Sequence, residues 1–297
     1  MWIYYGMIVL SVALFGGGFA FQDAYRRKRG STLKASMELA CIGSVAGLAV
    51  LLTVNGFSFA VTAYALWMAV LAAVVALAFV FCSFKALEHI NLSLFSVFAM
   101  LGGMVLPFFQ GLLFFGEGIT WAKGISVLFI CLALGSTIEK GEKKKGTLFY
   151  VGVFLLNGLV GVVSKLYTES DQPKISAAGY SVWIAIFTAV LAGGIWWVLT
   201  VRERRNGQTA PNVDSKTLWT AYGVGALYGV FNRIGNFLLV AALVWVDASV
   251  QYPMVTGGTM IVSTLISCLG EQKPNGRELL SVALAFAGML LLFLVPL

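Results

Sequence analysis

The chain has 297 residues, of which 59% are hydrophobic and only 11% are charged. Soluble globular proteins contain about 45–50% apolar and about 25% charged residues, so this composition excludes that class and predicts an integral membrane protein. One His and four scattered Cys leave no two-His metal motif and no CxxC pair, and no cofactor is expected. The net charge of +7 fits basic loops beside a membrane, so no nucleic-acid partner is expected.

Ten apolar stretches are each long enough to cross a bilayer, which takes about 20 residues. They cover residues 3–22, 34–54, 61–85, 91–115, 119–138, 147–167, 176–200, 217–245, 248–270 and 276–296. The connections are short, and the longest, 202–216, is polar. The sequence therefore predicts an all-α integral membrane protein with ten transmembrane helices and no soluble domain.

Basic residues predict the orientation of these spans. The first span has no basic residues before it and is followed by Arg26, Arg27, Lys28 and Arg29, which argues against a cleaved signal peptide. The loops after odd-numbered spans hold 16 Lys and Arg, whereas the loops after even-numbered spans hold 3. The positive-inside rule then places the odd loops in the cytoplasm and both termini outside a bacterial cell membrane.

The two halves of the chain resemble each other. Residues 102–117 read GGMVLPFFQGLLFFGE and residues 257–271 read GGTMIVSTLISCLGE, each before one further apolar span. The halves also begin alike, with FQDAY at 21–25 and VSKLY at 163–167, which aligns Tyr25 with Tyr167. A repeat of five spans must be inverted between its two copies, as in many secondary transporters. We therefore predict repeats at 1–145 and 146–297 within one membrane domain.

The segments 85–138 and 241–294 resemble the EamA-like repeat of the drug/metabolite transporter superfamily. The shared features are an Ala-Leu pair near the end of the third span, small residues in the fourth, a Gly-Glu turn and a Gly-containing fifth span. The resemblance implies a carrier of small molecules whose fourth and ninth spans line a cavity, where Gln110 and Gln251 lie. It also draws attention to Lys165, because a basic residue often ends the first span of such a repeat.

Arg233 is the strongest candidate for a substrate-binding residue. It lies deep in the eighth span, where a charge costs about 2.5–3.5 kcal/mol on insertion scales. Its planar guanidinium suits a carboxylate or phosphate. Asn232 and Asn236 flank it, with Asn236 about one helical turn away. The alternative is a structural pair with an acid such as Asp247 or with helix-end carbonyls.

Further polar residues within spans are weaker candidates for the same site. For each of them, hydrogen bonding between helices, or snorkelling of Lys165 to the interface, is the alternative. These candidates are Asn157, Lys165, Gln22, Gln110 and Gln251. Candidate hinge or gating positions come from paired Gly and Pro in the fourth and ninth spans, namely Gly102, Gly103, Pro107, Pro253, Gly257 and Gly258.

These features favour an alternating-access carrier, acting as a monomer or homodimer, over an enzyme. No GxxxxGK[ST] motif is present, so transport would draw on a solute or ion gradient. No acid lies in the middle of a span, and the deep Arg233 favours an anionic or zwitterionic metabolite, such as an amino acid or organic acid. The alternatives are a flippase for a phosphorylated or glycosylated lipid and an exporter of drug-like organic compounds.

Overall fold

Nine α-helices were identified in a computed structural model that describes residues 2–114, 121, 125, 128–129, 132–133, 146–206, 214–243, 248–270 and 273–294. The helices are α1 (Trp2–Arg29), α2 (Leu33–Val54), α3 (Ala63–Ala86), α4 (Leu92–Phe114), α5 (Thr147–Glu169), α6 (Ala177–Arg205), α7 (Ser215–Leu243), α8 (Ala248–Leu269) and α9 (Gly276–Leu294). Each coincides with a predicted span. The predicted span 119–138 lies almost entirely outside the described residues. No strand occurs in the described part of the chain.

Helices α1 and α6 extend past the apolar stretches that predicted them. Helix α1 continues to Arg29 and α6 to Arg205, and both end in a turn of basic residues. Cations in the last turn interact favourably with the negative end of the helix dipole. Within α1, Arg26 and Arg27 both pair with Asp23, at 2.8 Å. Hydropathy indicates where the apolar segment of each helix ends. In α1, ion pairs between residues of the same helix stabilise its continuation beyond that point.

Five helical segments are long and apolar enough to cross a membrane: Trp2–Arg29, Leu33–Val54, Ala63–Ala86, Thr147–Tyr167 and Ala177–Arg205. The apolar segments Leu92–Pro107 and Met254–Leu269 are shorter. Large apolar side chains are exposed on the outer faces of the helices, among them Trp2, Trp67 and Leu265. An apolar outer surface on an all-helical chain is typical of a membrane protein, because lipid, unlike water, is a favourable environment for such a surface.

Eight of the helices form a closed ring. Its order is α1–α8–α4–α5–α3–α6–α2–α7 and back to α1, and α9 packs outside on α4 and α8. Each neighbour in the ring comes from the other half of the chain. The pattern of neighbours is unchanged when α1, α2, α3 and α4 are exchanged with α5, α6, α7 and α8.

Glycines bring the helices of two halves into backbone contact. A Cβ on Gly102 would collide with the backbone of Phe154, and one on Gly158 would lie 2.7 Å from the carbonyl oxygen of Gly102. On the equivalent seam, Gly258 of α8 faces Val12 of α1. Small residues at such crossings are how membrane helices approach closely, because lipid supplies no hydrophobic force between them.

Helices α4 and α5 run parallel. Asn157 donates to the carbonyl oxygen of Ala99 at 2.6 Å, and Gln110, further along α4, donates to Val162, further along α5. Both helices start at the same end, where His89 packs against Gly146. We call this the basic end, since Arg29, Lys34 and Arg202 lie there, and the other the opposite end.

The seam between α4 and α5 makes stability depend on Gly102. Gly102→Ala pushes a methyl group into the backbone of Phe154, and we expect it to destabilise the protein by about 1–3 kcal/mol through overpacking. Gly194→Ala is the matched control, because an added Cβ meets nothing within 4 Å there. It should be neutral or stabilising by about 0.5–1 kcal/mol from helix propensity.

Thermal unfolding in detergent measures both variants. Equal melting temperatures for the two would contradict this account of the α4–α5 seam.

Candidate functional site

The helices α1, α5, α7 and α8 each have one exposed apolar face and one polar face. On α5, Leu148, Val151, Leu155 and Leu159 are exposed and repeat every three or four residues, which places them on a single helical face. Asn157 and Ser164 lie on the other side of that helix. Because exposed apolar faces of a membrane protein contact lipid, the polar faces point into the ring. We call the space that they enclose the chamber.

Helix α1 borders open space inside the chamber. Gly18 is buried, yet a Cβ built on it would meet no atom within 4 Å. One turn further, Gln22 is 0% exposed, and neither atom of its amide has a hydrogen-bond partner among the described residues. Tyr25 follows on the same face, 0% exposed and beside Phe84 of α3. Gln22 and Tyr25 therefore form the floor of the chamber, towards the basic end.

Helix α7 contributes an amide face and Arg233, which is half-buried. Tyr228, Asn232 and Asn236 lie opposite its exposed residues, and Asn236 donates to the backbone and side-chain oxygens of Asn232, at 2.8 and 3.1 Å. The aliphatic part of Arg233 lies against Gly47 of α2.

Arg233 lies near the middle of the membrane-crossing layer. Phe231, two residues before it, packs on Gly17, close to the centre of α1. Within the described residues, no carboxylate lies within ion-pair distance of Arg233. Asp247, the acid considered from sequence, is outside them. A charged side chain at this depth almost always faces the interior of the helix bundle or a water-filled cavity, or pairs with another charge or with backbone carbonyls.

Helix α8 presents a row of hydroxyls that the sequence analysis missed. Thr256, Thr259 and Ser263 recur every three or four residues on the face opposite the exposed Ile261 and Leu265. The backbone of Ser263 lies beside Gly16 of α1, which places it at about the depth of Arg233. Their spacing in the sequence is a weak signal, because isolated hydroxyls in apolar helices usually bond to their own backbone.

The remaining predicted site residues are placed differently. Asn157 is bound to Ala99 and packs beside Gly103, so its amide holds the α4–α5 seam. Gln110 lies on the same seam, 6% exposed, with its side-chain oxygen unpartnered in the described part of the chain. Lys165 is partly buried near the end of α5. The side chain of Gln251 lies outside the described residues.

The predicted hinge residues lie at contacts between helices. Gly102, Gly103 and Pro107 face α5, where Pro107 packs on Gly161. Helix α4 continues through Pro107 without a break. Gly258 faces α1, and Gly257 is buried beside it. The side chain of Pro253 lies outside the described residues. These positions set helix spacing in this structure, and a hinge role for them stays a prediction.

A network of charged and aromatic groups closes the chamber at the basic end. Arg29 of α1 binds both carboxylate oxygens of Glu38 of α2, at 2.8–3.1 Å, and Tyr222 of α7 donates to the same carboxylate at 3.2 Å. Glu38 is 4% exposed. Nearly three turns before Arg29, Phe19 of α1 packs edge-on against Phe95 of α4. The floor is thus sealed by contacts that link α1, α2, α4 and α7.

Acids at the basic end are held by cations or by helix caps. The pairs are Asp23 with Arg26 and Arg27, Glu38 with Arg29, Glu203 with Lys34, and Glu88 with Lys85, while Glu278 accepts from Asn91 and from the backbone of Asn275. In the α3–α4 connection, slight burial acts to raise the pKa of Glu88. The hydrogen bond and charge of Lys85 and the charge of His89 outweigh it and lower that pKa below its usual value.

At the opposite end, Tyr167 stacks on Tyr180 and on Tyr64, with ring centroids 3.8 and 5.8 Å apart, which joins α5, α6 and α3. On the chamber side near this end, Ser164 and Asn236 are both exposed.

The comparisons with known proteins bear on the fold alone. No protein-family model and no curated protein matches the sequence. Among the 27 matching chains of solved structures is one described as "Crystal structure of protein", which has 15% identity and a TM-score of 0.57. The match covers 96% of this chain and 96% of that chain. Essentially the whole helical arrangement therefore occurs in a solved structure.

The seal at the basic end should be tested by Glu38→Gln. This change removes the charge that pairs with Arg29 and leaves the guanidinium buried, and we expect a loss of about 2–3 kcal/mol in the free energy of unfolding. Glu203→Gln breaks the more exposed pair with Lys34 and should cost less than about 1 kcal/mol.

Chemical or thermal unfolding of the purified protein in detergent gives both values. A Glu38→Gln variant as stable as Glu203→Gln would show that the Arg29–Glu38 pair does not hold the floor.

Proposed function

We propose that this protein is a secondary-active transporter of the EamA-like type in the drug/metabolite transporter superfamily, moving a small anionic or zwitterionic metabolite by alternating access. The observation that carries the proposal is Arg233, a guanidinium at mid-depth without an acid beside it among the described residues. A fixed cation in a low-dielectric chamber strongly favours a carboxylate or phosphate over a neutral or cationic solute.

The helix contacts support ten transmembrane helices in two inverted five-helix repeats. Exchange of the two halves leaves the ring unchanged. Two consecutive membrane crossings run in opposite directions, yet α4 and α5 pack in parallel. One further crossing between α4 and α5 would account for their parallel directions. Gly16 and Gly158 each precede the aligned tyrosine, Tyr25 or Tyr167, by nine residues, and both lie at a parallel seam.

The ends of the ring support the topology predicted from charge. Thr32 caps α2 at the basic end, and Ser176 caps the equivalent helix, α6, at the opposite end beside Asn55. Equivalent helices that begin at opposite ends are what an inverted repeat requires. With the basic end in the cytoplasm, both chain termini lie outside the cell membrane.

Transport by reconstituted protein tests the role of Arg233. We expect saturable uptake of at least one labelled amino acid or organic acid into proteoliposomes. Arg233→Ala should weaken apparent affinity about 10- to 100-fold, the effect of losing a hydrogen-bonded charge pair. Arg233→Lys should rescue part of it. Arg204→Ala, at the exposed end of α6, is the matched control and should behave as wild type.

Stability separates a binding role from a structural one. If Arg233 serves the solute, Arg233→Met should not lower the melting temperature of the solute-free protein, because it keeps an aliphatic chain against Gly47 and no described ion pair is lost. Undiminished transport of every anionic and zwitterionic solute by Arg233→Ala would remove the basis of the proposal. Movement of a fluorescent lipid in the same vesicles, with no solute uptake, would favour the flippase instead.

Thiol labelling tests alternating access. Gln22 and Ser164 occupy matching positions in the two aligned segments, but Gln22 is 0% exposed and Ser164 is exposed. In a variant without native cysteines, we expect a charged thiol reagent to modify Ser164→Cys rapidly and Gln22→Cys at least about tenfold more slowly, a ratio set by about 1.4 kcal/mol of opening free energy. Adding Glu38→Gln should raise the Gln22→Cys rate by loosening the floor.

Equal labelling rates at the two positions would contradict a chamber that opens to one side at a time.

A further inference from the structure

Two buried hydroxyls on the chamber face of α8 have no hydrogen-bond partner among the described residues. Thr259 and Ser263 are both 0% exposed, and no partner for either hydroxyl occurs in the described part of the chain. Buried polar groups in native proteins are nearly always hydrogen-bonded, and such a group in a membrane interior has no bulk water as a substitute. These two hydroxyls therefore need an explanation that packing does not supply.

Backbone bonding, the usual solution for a helical hydroxyl, is not used here. Elsewhere in this protein Ser83, Ser164 and Thr188 each donate to the carbonyl oxygen four residues earlier, at 2.6–2.9 Å. Bonding between helices is also absent at these two positions. By contrast Thr264, on the α4 side of the same helix, is bonded to Ser93 at 2.8 Å. On α8, the buried hydroxyls without a described partner are thus confined to the chamber face.

The same chamber has a third group of this kind. Gln22 of α1 has an amide with both atoms unpartnered in the described residues, one turn from the open space beside Gly18. Ser263 lies at about the depth of Arg233, on the far side of α1 from it, because α1 packs between α7 and α8. A solute held at Arg233 therefore has hydroxyls across the chamber and an amide below it.

These three groups are neutral and each can both donate and accept a hydrogen bond. No described carboxylate lies within ion-pair distance of Arg233, the cation on the other wall. The walls therefore match a ligand with one anionic group and one uncharged polar group. An apolar group placed there would leave the protein hydroxyls unpaired, which is a strong basis for discrimination.

We propose that Thr259 and Ser263, with Gln22 below them, form a second binding subsite that takes a hydroxyl or carboxamide of the solute whose anionic group is bound by Arg233. This subsite rests on the proposed transport function and narrows its substrate class to hydroxylated or amide-bearing amino acids and organic acids. Thr259 and Ser263 contact the solute directly, and Gln22 limits how far it descends towards the floor.

Matched ligand pairs and matched variants test the subsite. The probes are L-serine against L-alanine, L-asparagine against L-leucine, and lactate against propionate, each measured by thermal stabilisation of purified protein and by uptake into proteoliposomes. A ligand that binds only the folded protein raises its melting temperature by mass action. In the wild type, we expect the hydroxyl or amide member of at least one pair to bind about 3- to 10-fold tighter, as for one neutral hydrogen bond.

The variants are Thr259→Val and Ser263→Ala, with Thr264→Val as the control on the same helix. Thr259→Val and Ser263→Ala should abolish the preference within the pair while leaving the melting temperature of the ligand-free protein unchanged or raised, because neither hydroxyl has a described partner to lose. Thr264→Val should do the reverse, lowering the melting temperature by breaking its bond to Ser93 and keeping the preference.

Each outcome is decisive. Carboxylate binding that depends on Arg233 but does not distinguish the members of any pair overturns the subsite and leaves the proposed function intact. A preference that survives in both Thr259→Val and Ser263→Ala also overturns it. Binding or transport of none of the six probes, by either assay, overturns the proposed substrate class together with the subsite.

Discussion

Backbone contact at glycines is the interaction on which the ring depends. Gly229 of α7 lies so close to Gly43 of α2 that a Cβ on Gly229 would collide with the Gly43 backbone. Glycine is needed at both positions because apolar side chains are as stable in lipid as in protein. Association of the helices therefore depends on close packing of their backbones. One turn further, Gly47 leaves the room in which the aliphatic part of Arg233 lies. The same contact that closes the ring therefore also positions its deepest charge.

Polar groups in the described residues fall into two sets that differ in position. At helix seams, Asn157 is bonded to Ala99 and Thr264 to Ser93, although one atom of the Gln110 amide has no described partner. On the chamber faces, Gln22 and Ser263 have no described partner, whereas Asn236 is bonded to Asn232. A membrane protein gains stability from the first set and loses some to the second. A binding chamber requires polar side chains without protein partners, because a side chain that is already hydrogen-bonded within the protein is not available to a solute.

Much of the fold was predictable from hydropathy, and much of the chamber was not. Nine predicted spans coincide with helices because apolar length and polar connections are properties of local sequence. The hydrogen bond from Asn157 to Ala99 depends on which helices become neighbours, so the sequence alone did not predict that Asn157 joins α4 to α5. The hydroxyls of Thr259 and Ser263 were missed for the same reason. The bond between Asn236 and Asn232 follows from helical periodicity alone, because residues four apart are neighbours on one helical face.

Alternation of the two halves around the ring has a consequence for how the chain is made. Helices α1 to α4 leave the ribosome first, yet their ring neighbours all belong to α5 to α8. Until the later helices are synthesised, the early helices can insert into the lipid bilayer but lack most of the helices on which they finally pack. Assembly of the ring is thus a late event in the synthesis of the chain, and a polypeptide truncated after α4 keeps only the few contacts that α1 to α4 make with one another.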